Sequence, residues 1–381
     1  MPRVHAGVFA VPFLSAAVFA QTTWIVTGGG AALQNTIVAA AAGDTLDVQL
    51  GNYDAITCGK GLRIRLRPGA VIDSGICAVT IASLPAAERF QLDGGMVRGI
   101  AASNCAGTIV VDGVDVQLLQ SWVLSGCTGP IVFDDVDYSG FAGATSGNLH
   151  VFNCTDVTFR DCRLPQLNML GSRAALQGCI VRPYGFSAPG IQLASGSLTL
   201  SGTQVKGSQA VFFSIPQPAI QVDGGTLNLT GTSFLEALEY SMQPAPGVAA
   251  NGGTVRADPS TIIQGTPAIA GPGIVQTQPM PSLVVTHAAT TMTVTTTAVA
   301  GDLLATFAGL PSPSYATPWG DAWLLPTDPI LDLSFVPPNG TSTFSRTFAF
   351  VPPFVLLTLQ SVALDAQGGL TLGAPARFCW N

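Results

Sequence analysis

The chain has 381 residues, a length typical of two domains, and only 10% of them are charged. Its 43 Gly and 27 Pro accompany a 48% apolar content, which favours many short strands separated by turns around a hydrophobic core. The scarcity of Glu and Lys leaves little material for long solvent-facing helices, and the net charge of −7 argues against nucleic acid as a partner.

Residues 1–20 have the pattern of an export signal. Arg3 supplies the positive start, Val8 to Phe19 the apolar stretch, and Ala20 a small residue before the predicted cleavage at Gln21. A transmembrane anchor needs about 20 apolar residues. This run has 12 and contains Pro12. We therefore expect a secreted protein, extracellular or at the cell surface, with no membrane span after signal removal.

The pattern of residues 31–42 (AALQNTIVAAAA) predicts a short amphipathic helix with Leu33, Ile37 and Ala40 on one face. Residues 45–50 then alternate as in a strand and lead into a turn at 51–52. We expect the helix to cover the open end of a stack of strands, because an uncovered first coil offers unpaired backbone groups to other chains.

The body of the sequence repeats at intervals of about two dozen residues. NCAGTIVVDGVDV (104–116), GCTGPIVFDDVDY (126–138) and NCTDVTFRDCRL (153–164) each begin with Cys in second place and carry Asp seven positions later. GSLTLSGTQV (196–205) and GTLNLTGTSF (225–234) keep the rhythm without the cysteine. A period in this range indicates a solenoid, whose coils bury their apolar faces only by stacking.

Residues 34–54, QNTIVAAAAGDTLDVQLGNYD, resemble the opening of secreted pectin-lyase-like β-helix proteins, in which a capping helix leads into Gly-Asp, a strand and a Gly-x-Tyr turn. The resemblance covers roughly residues 22–279. It implies an all-β fold, a right-handed parallel β-helix of about ten coils with an N-terminal capping helix. It specifies a fold rather than a reaction, because this fold carries lyases, hydrolases, adhesins and inert stalks.

A proline-rich linker at 271–282 ends the repeats, and Thr-, Val- and Phe-rich segments with Gly and Pro turns follow. Their spacing predicts a small antiparallel β-sandwich. The segment LQSVALDAQGGLTLG resembles a C-terminal module found on secreted bacterial proteins. The predicted organisation is a signal peptide at 1–20, a β-helix at 21–279 and a sandwich at 280–381.

Asp112, Asp134 and Asp161 share one repeat position, so stacked coils would place them in a column about 4.8 Å apart. Such spacing brackets that of the carboxyl pairs of glycosidases, and crowded acids would raise a pKa. Asp134, Asp135 and Asp137 also make a Ca²⁺ site a hypothesis, and no other cofactor is indicated. The alternative, which we favour, is that these aspartates are ordinary turn residues.

Arg63, Arg65 and Arg67 alternate with apolar residues, so one strand would present three guanidinium groups on one face. They could bind the carboxylates of a uronate polymer, and in a lyase one of them could act as the base. Against binding, nearby aspartates could neutralise them from adjacent coils, and structure is the favoured interpretation.

The cysteines and aromatic residues leave alternatives open. Cys58 with Cys77 and Cys105 with Cys127 are the disulfide pairs to test first, although inward Cys can also form a ladder without bonds. Exposed Trp can stack on sugars, and Trp122 is the candidate in the β-helix. The chain has no CxxC pair, and only three His, so a structural zinc site is not expected.

These observations lead to two functional hypotheses. The first is a non-catalytic extracellular protein that serves a structural role or binds a polysaccharide or cell-surface component. The second is a polysaccharide lyase or glycoside hydrolase that uses the groove along the coils, with the arginine run or the aspartate column as its site. The regular coils and the absence of a recognised catalytic constellation favour the first.

Overall fold

The computed structural model describes residues 21–73, 77–117, 122–138, 147–183, 188–208, 216–237, 244–311, 314–349 and 355–380. The predicted export signal lies outside this part. The described chain is almost entirely β-structure, with one helix, α1 (Ala32–Ala39). Its body is a right-handed parallel β-helix, and antiparallel strands follow from Ser282 onward. The predicted fold class is confirmed.

The helix α1 covers the first coil as predicted, but it is shorter than residues 31–42. Leu33 and Ile37 are buried against the core, as the pattern indicated. The helix ends because Ala40 adopts an extended backbone, with ψ of 147°. Asp44 then holds this corner by accepting hydrogen bonds from Ala41 N and Thr22 N, each at 2.9 Å, and from Trp24 Nε1.

The β-helix contains thirty-one described strands. The first half consists of β1 (Thr23–Val26), β2 (Thr45–Val48), β3 (Gly51–Tyr53), β4 (Ile56–Cys58), β5 (Arg63–Leu66), β6 (Ala70–Ile72), β7 (Val79–Ala82), β8 (Arg89–Asp93), β9 (Met96–Val97), β10 (Ile100–Ser103), β11 (Thr108–Asp112), β12 (Asp115–Val116), β13 (Trp122–Ser125), β14 (Ile131–Asp134), β15 (Asn148–Phe152) and β16 (Val157–Arg160). The second half consists of β17 (Arg163–Leu164), β18 (Gln166–Leu170), β19 (Ser172–Gln177), β20 (Ile180–Val181), β21 (Ile191–Leu193), β22 (Gly196–Ser201), β23 (Gln204–Lys206), β24 (Ile220–Val222), β25 (Thr226–Thr230), β26 (Phe234–Glu236), β27 (Val248–Ala250), β28 (Thr254–Ala257), β29 (Ile262–Gln264), β30 (Ile269–Ala270) and β31 (Ile274–Thr277).

These strands form parallel sheets that run along the body. The first sheet has 12 strands in the order β1-β2-β5-β8-β11-β14-β16-β19-β22-β25-β28-β31, and the second has 10 strands, from β4 to β30. The third side comprises a sheet of β3, β6, β9 and β12 and a sheet of β17, β20, β23, β26 and β29. Backbone bridges from Asp137 to Asp115 and to Arg163 join these two.

The interior is an unbroken column of apolar side chains, because successive coils stack in register. One column of the first sheet runs Leu46, Ile64, Leu92, Val111, Phe133, Phe159, Leu176, Leu200, Leu229. Phe133 and Phe159 stack nearly parallel, with ring centroids 5.1 Å apart. Each such side chain contributes about 2 kcal/mol through burial, so the stack of coils is the main source of stability.

The C-terminal strands form a small antiparallel sandwich. They are β32 (Ser282–Ala288), β33 (Thr291–Thr297), β34 (Leu303–Gly309), β35 (Tyr315–Thr317), β36 (Gly320–Ala322), β37 (Ile330–Phe335), β38 (Thr341–Thr347), β39 (Val355–Leu364), β40 (Leu370–Leu372) and β41 (Ala376–Trp380). One sheet is β32-β33-β38, and the other contains β37, β34, β39, β40 and β41. Met292, Val294, Leu359 and Phe378 pack between them.

Candidate functional site

The aspartates on the first sheet form a row different from the predicted one. The strand register pairs Asp93 with Asp112 and Asp112 with Asp134, so these three lie on consecutive strands β8, β11 and β14. Two of the three predicted residues are therefore neighbours. The next residue in the row is Arg160, not Asp161. We call Asp93, Asp112, Asp134 and Arg160 the charged row.

Asp161 lies in the turn after β16, one position beyond the charged row. The segment between Cys154 and the start of β16 is one residue shorter than the segment between Cys127 and the start of β14. The aspartate seven positions after Cys154 therefore lies one position beyond the end of its strand. Asp161 has a positive φ of 51°, and the equivalent positions of neighbouring coils, Asp135 and Gly178, have φ of 49° and 61°. Asp is one of the non-Gly residues that tolerate this conformation. Asp161 and Asp135 are thus turn residues, in line with the alternative interpretation of the column.

Asp134 is neutralised by Arg160. Arg160 Nε and Nη2 donate to the two carboxylate oxygens at 2.7 and 2.5 Å, and Asp134 is only 4% exposed. Burial, opposed by Arg160 and assisted by the charges of Asp112 and Asp161, raises the pKa of Asp134 to about 6. The row therefore contains one acid with a pKa in the range of a general acid, held in a two-contact ion pair.

The arginine run is also paired with aspartates from adjacent coils. Arg63 Nε lies 2.6 Å from Asp93, and Arg65 Nε lies 4.0 Å from the same carboxylate. Arg67 donates to both oxygens of Asp47, at 2.6 and 3.0 Å. These contacts match the structural interpretation of the run. The side chains of Arg65 and Arg67 remain 40% and 52% exposed, against 17% for Arg63, so these two are the most accessible to solvent.

The sandwich packs on the outer side of the first sheet. Leu356 contacts Val110 and Val132, which point outward from β11 and β14. Further along the sheet, Asp321 accepts hydrogen bonds from Ser197 Oγ and Asn228 Nδ2. Strands from β11 to β25 thus have part of their outer side covered, whereas a polymer-binding groove would need that side open.

A buried ion pair joins the two parts of the molecule. Arg377 of β41 donates from Nη1 to Asp156, which directly precedes β16, and both side chains are 0% exposed. Arg377 also donates from Nε to Thr358 Oγ1 at 2.9 Å and lies over the ring of Trp323. Burial raises the pKa of Asp156, and Arg377 opposes this shift. Removing either partner would leave a buried charge uncompensated.

A cleft of about 300 Å³ remains where the two parts meet beside the charged row. Arg160, Gln177 and Ser201 line it from the β-helix, and Ser282 and Arg377 line it from the sandwich. The Ser201 and Ser282 hydroxyls are 3.2 Å apart. Asp161 also lines the cleft, and the guanidinium groups of Arg160 and Arg377 are paired with Asp134 and Asp156. Apolar residues of the sandwich, at 283–285, 376 and 378, complete the lining, so the cleft is of mixed polar and apolar character.

Trp122 is buried and is not available to bind a ligand. Its side chain is 0% exposed and packs against Phe133 and Tyr138, with ring centroids 5.9 and 6.1 Å away. A ring stacked on a sugar needs an open face, and none is left here. The sequence suggested exposure only because Trp is amphipathic, and its position inside a coil could not be read from its neighbours.

The seven described cysteines carry free thiols, and most belong to columns of turn residues. Cys105, Cys127 and Cys154 each donate to the carbonyl two residues earlier, as Ser172 does in the next coil. Cys162, Cys179 and Thr203 form a second column of the same kind. A thiol and a hydroxyl thus perform the same task, which is to satisfy a buried turn carbonyl.

The two predicted disulfide pairs differ in geometry. Cys105 and Cys127 are neighbours, and hydrogen bonding to Cys127 followed by burial raises the pKa of the Cys105 thiol. The hydrogen bond with Cys105 lowers the pKa of Cys127, yet its bond with Cys154 and burial together raise that pKa to about 11. Cys58, however, has Ile81 as its register partner, which lies four residues beyond Cys77. The structure does not bring Cys58 and Cys77 together.

The acidic residues proposed for Ca²⁺ are engaged elsewhere. Both oxygens of Asp134 accept from Arg160, Asp135 is an exposed turn residue, and Asp137 lies 3.5 Å from Arg163 Nη1. Among the described residues, no three His, Cys, Asp or Glu side chains are grouped to hold a metal ion. A cation at Asp134 would have to displace Arg160.

Sequence reasoning missed Asp93, Arg160, Asp156 and Arg377. Asp93 and Arg160 occupy the same row as Asp112 and Asp134, and a strand alignment instead of a cysteine alignment would have found them. Asp156 and Arg377 are 221 residues apart and belong to different parts of the chain. Neither shows a pattern in its own neighbourhood that points to the other.

No protein-family model matches this sequence, and no curated protein matches it at a significant level. In the part of the chain that the structure describes, no helix is long and apolar enough to span a membrane. The fold and the geometry above therefore carry the functional argument.

Proposed function

We propose that this chain is a secreted, non-catalytic β-helix protein that acts outside the cell as a structural element or binds a polysaccharide or cell-surface component. The observation that carries this proposal is the sandwich lying on the outer side of the first sheet, with Leu356 against Val110 and Val132. A polymer could not follow that side past β11. The resemblance of residues 34–54 to secreted pectin-lyase-like proteins and the export-signal pattern support an extracellular location.

The charge pattern supports the same proposal. Each guanidinium group of the arginine run lies within 4.0 Å of an aspartate on a neighbouring coil, and Arg160 neutralises Asp134. Binding of an acidic polymer would require these pairs to separate first. The ladder of pairs is therefore better suited to joining coils than to receiving a ligand.

A second candidate function is a polysaccharide lyase or glycoside hydrolase acting in the groove along the coils, from the uncovered strands β2, β5 and β8 to the ends of β11 and β14. It is favoured by one observation, the raised pKa of Asp134, at about 6, beside Asp112. In this case Asp134 would serve as the acid, Asp112 as its partner, and Arg65 and Arg67 would bind substrate carboxylates.

An activity screen separates the two. The mature protein is incubated with pectin, alginate and neutral glycans, while reducing ends and unsaturated uronates are measured. We expect no turnover above that of an Asp112→Asn, Asp134→Asn double variant, together with selective retention on a glycan array or no retention. Depolymerisation that the double variant loses would overturn the proposal and establish the enzyme.

The Ca²⁺ hypothesis is tested separately by thermal melting with and without a chelator. Because Asp134 and Asp137 are paired with Arg160 and Arg163, we expect identical melting curves. A higher melting temperature in Ca²⁺ that Asp137→Asn abolishes would instead support a cation site.

A further inference from the structure

One side of the larger sandwich sheet carries two rows of apolar side chains. The antiparallel register aligns Phe335, Leu303, Leu364 and Leu370 in one row, and Leu333, Ala305, Val362 and Leu372 in the next. Directly opposite residues in antiparallel strands point to the same side, so the eight form one surface. We call these eight residues the apolar face.

Three residues of the apolar face are exposed to solvent, and the other five are half-buried. Phe335 is 71% exposed, Leu333 is 60% exposed and Leu364 is 38% exposed. The residues that alternate with them on the same strands, Leu304 and Ala363, are buried on the other side of the sheet. Contiguous exposed apolar patches of this kind are uncommon on soluble proteins and mark interaction sites.

The apolar face continues an interface that the molecule already forms. Leu356, Thr358, Val362 and Leu364 alternate along β39 and therefore share one side of the sheet. Leu356 contacts the β-helix, and Thr358 accepts a hydrogen bond from Arg377 at the buried ion pair. The side of the sheet that faces the β-helix is thus covered at the Leu356 end of β39 and uncovered at the Leu364 end.

The charges around the apolar face are acidic. Asp302 directly precedes Leu303, Asp365 directly follows Leu364, and the two carboxyls lie close enough for each charge to act on the other. Asp328 lies at the opposite end, beside Gly309. Residues 283–381 contain no Glu or Lys, and their two Arg are engaged, Arg346 with Leu331 O and Arg377 with Asp156.

We propose that the apolar face docks a protein partner whose own apolar surface is bordered by Lys or Arg. Its apolar rows supply the contact area, and Asp302, Asp365 and Asp328 select a basic border. A second copy of this chain would bring the same acids together, and an anionic lipid surface would be repelled. This inference goes beyond the proposed function and holds whether or not the β-helix is catalytic.

The test uses the full mature chain and two defined probes, an octapeptide of alternating Leu and Lys and the same peptide with Glu in place of Lys. We expect the Lys peptide to bind at least about tenfold more tightly, a difference that salt reduces. Leu333→Ser with Phe335→Ser should weaken its binding at least about tenfold, because the apolar contact is lost. Asp302→Asn with Asp365→Asn should remove the preference and keep the apolar contact.

The control is Leu325→Ser, which alters an exposed apolar residue outside the apolar face, at 48% exposure. It should bind like the parent, and circular dichroism should show that each variant is folded. Equal binding of the two peptides, no binding, or binding that ignores Phe335 would overturn the proposal. So would sedimentation of a dimer that Phe335→Ser dissociates, or adhesion to phosphatidylglycerol vesicles, since these identify other occupants.

Discussion

Arg160 donates two hydrogen bonds, of 2.7 and 2.5 Å, to the carboxylate of Asp134 on the neighbouring coil, and Asp134 is only 4% exposed. A buried acid of this kind is stable in its ionised form only while the guanidinium stays in position. The pair therefore links strand β14 to strand β16 and makes the stability of the stack depend on pH.

Asp134 should make unfolding pH-dependent between about pH 4 and 6. Its folded-state pKa of about 6 lies above the ordinary value of 3.8, so its contribution to stability is complete below pH 3.8 and is lost as pH rises through 6. The loss amounts to about 3 kcal/mol. Asp134→Asn should flatten this part of the curve in urea unfolding experiments. A curve that is the same in Asp134→Asn as in the parent would contradict the assignment.

Asp161 should tolerate Gly but not Val. Its φ of 51° is a left-handed conformation, which a β-branched residue adopts only with strain. We expect Asp161→Val to lower the free energy of unfolding by about 1 to 2 kcal/mol, and Asp161→Gly to leave it within about 0.5 kcal/mol. Chemical denaturation of the two variants measures these changes in the free energy of unfolding. Equal stability would mean that Asp161 does not occupy this turn.

The described cysteines other than Cys77 should react as slow, buried thiols. Burial and neighbouring sulfur raise the pKa values of Cys105 and Cys127, the latter to about 11, so little thiolate exists at pH 8. We expect iodoacetamide to modify the native protein slowly and all seven described thiols promptly in denaturant, without a reductant. Mass spectrometry counts the adducts. Two missing adducts at Cys105 and Cys127 would reveal a disulfide there.

The fold could be predicted because each coil of a β-helix repeats the same pattern of apolar and turn residues. Apolar residues recur wherever a coil turns inward, and Leu33 and Ile37 mark a helix that must bury one side. The third coil of the cysteine alignment failed because one residue is missing before Phe159, and a one-residue shift moves an aspartate from the strand into the turn. Sequence spacing alone does not show where such a residue is lost.

The candidate site was less predictable because it depends on contacts between distant segments. Arg63 and Asp93 are 30 residues apart, so the periodicity could suggest their pairing, and the sequence predicted that aspartates of adjacent coils could neutralise the arginine run. The packing of Leu356 on Val110 and Val132 has no period and no local pattern. It follows only from the shapes of two surfaces, which the sequence does not display.

The central claim, that the sandwich lies on the outer side of the first sheet, is tested most directly by a double-mutant cycle at Asp156 and Arg377. Asp156→Asn, Arg377→Met and the double variant are compared in urea unfolding. Because both side chains are completely buried, we expect each single variant to lose about 3 kcal/mol and the pair to show a coupling of at least about 2 kcal/mol. Losses that add within about 0.5 kcal/mol would show that the two residues do not meet.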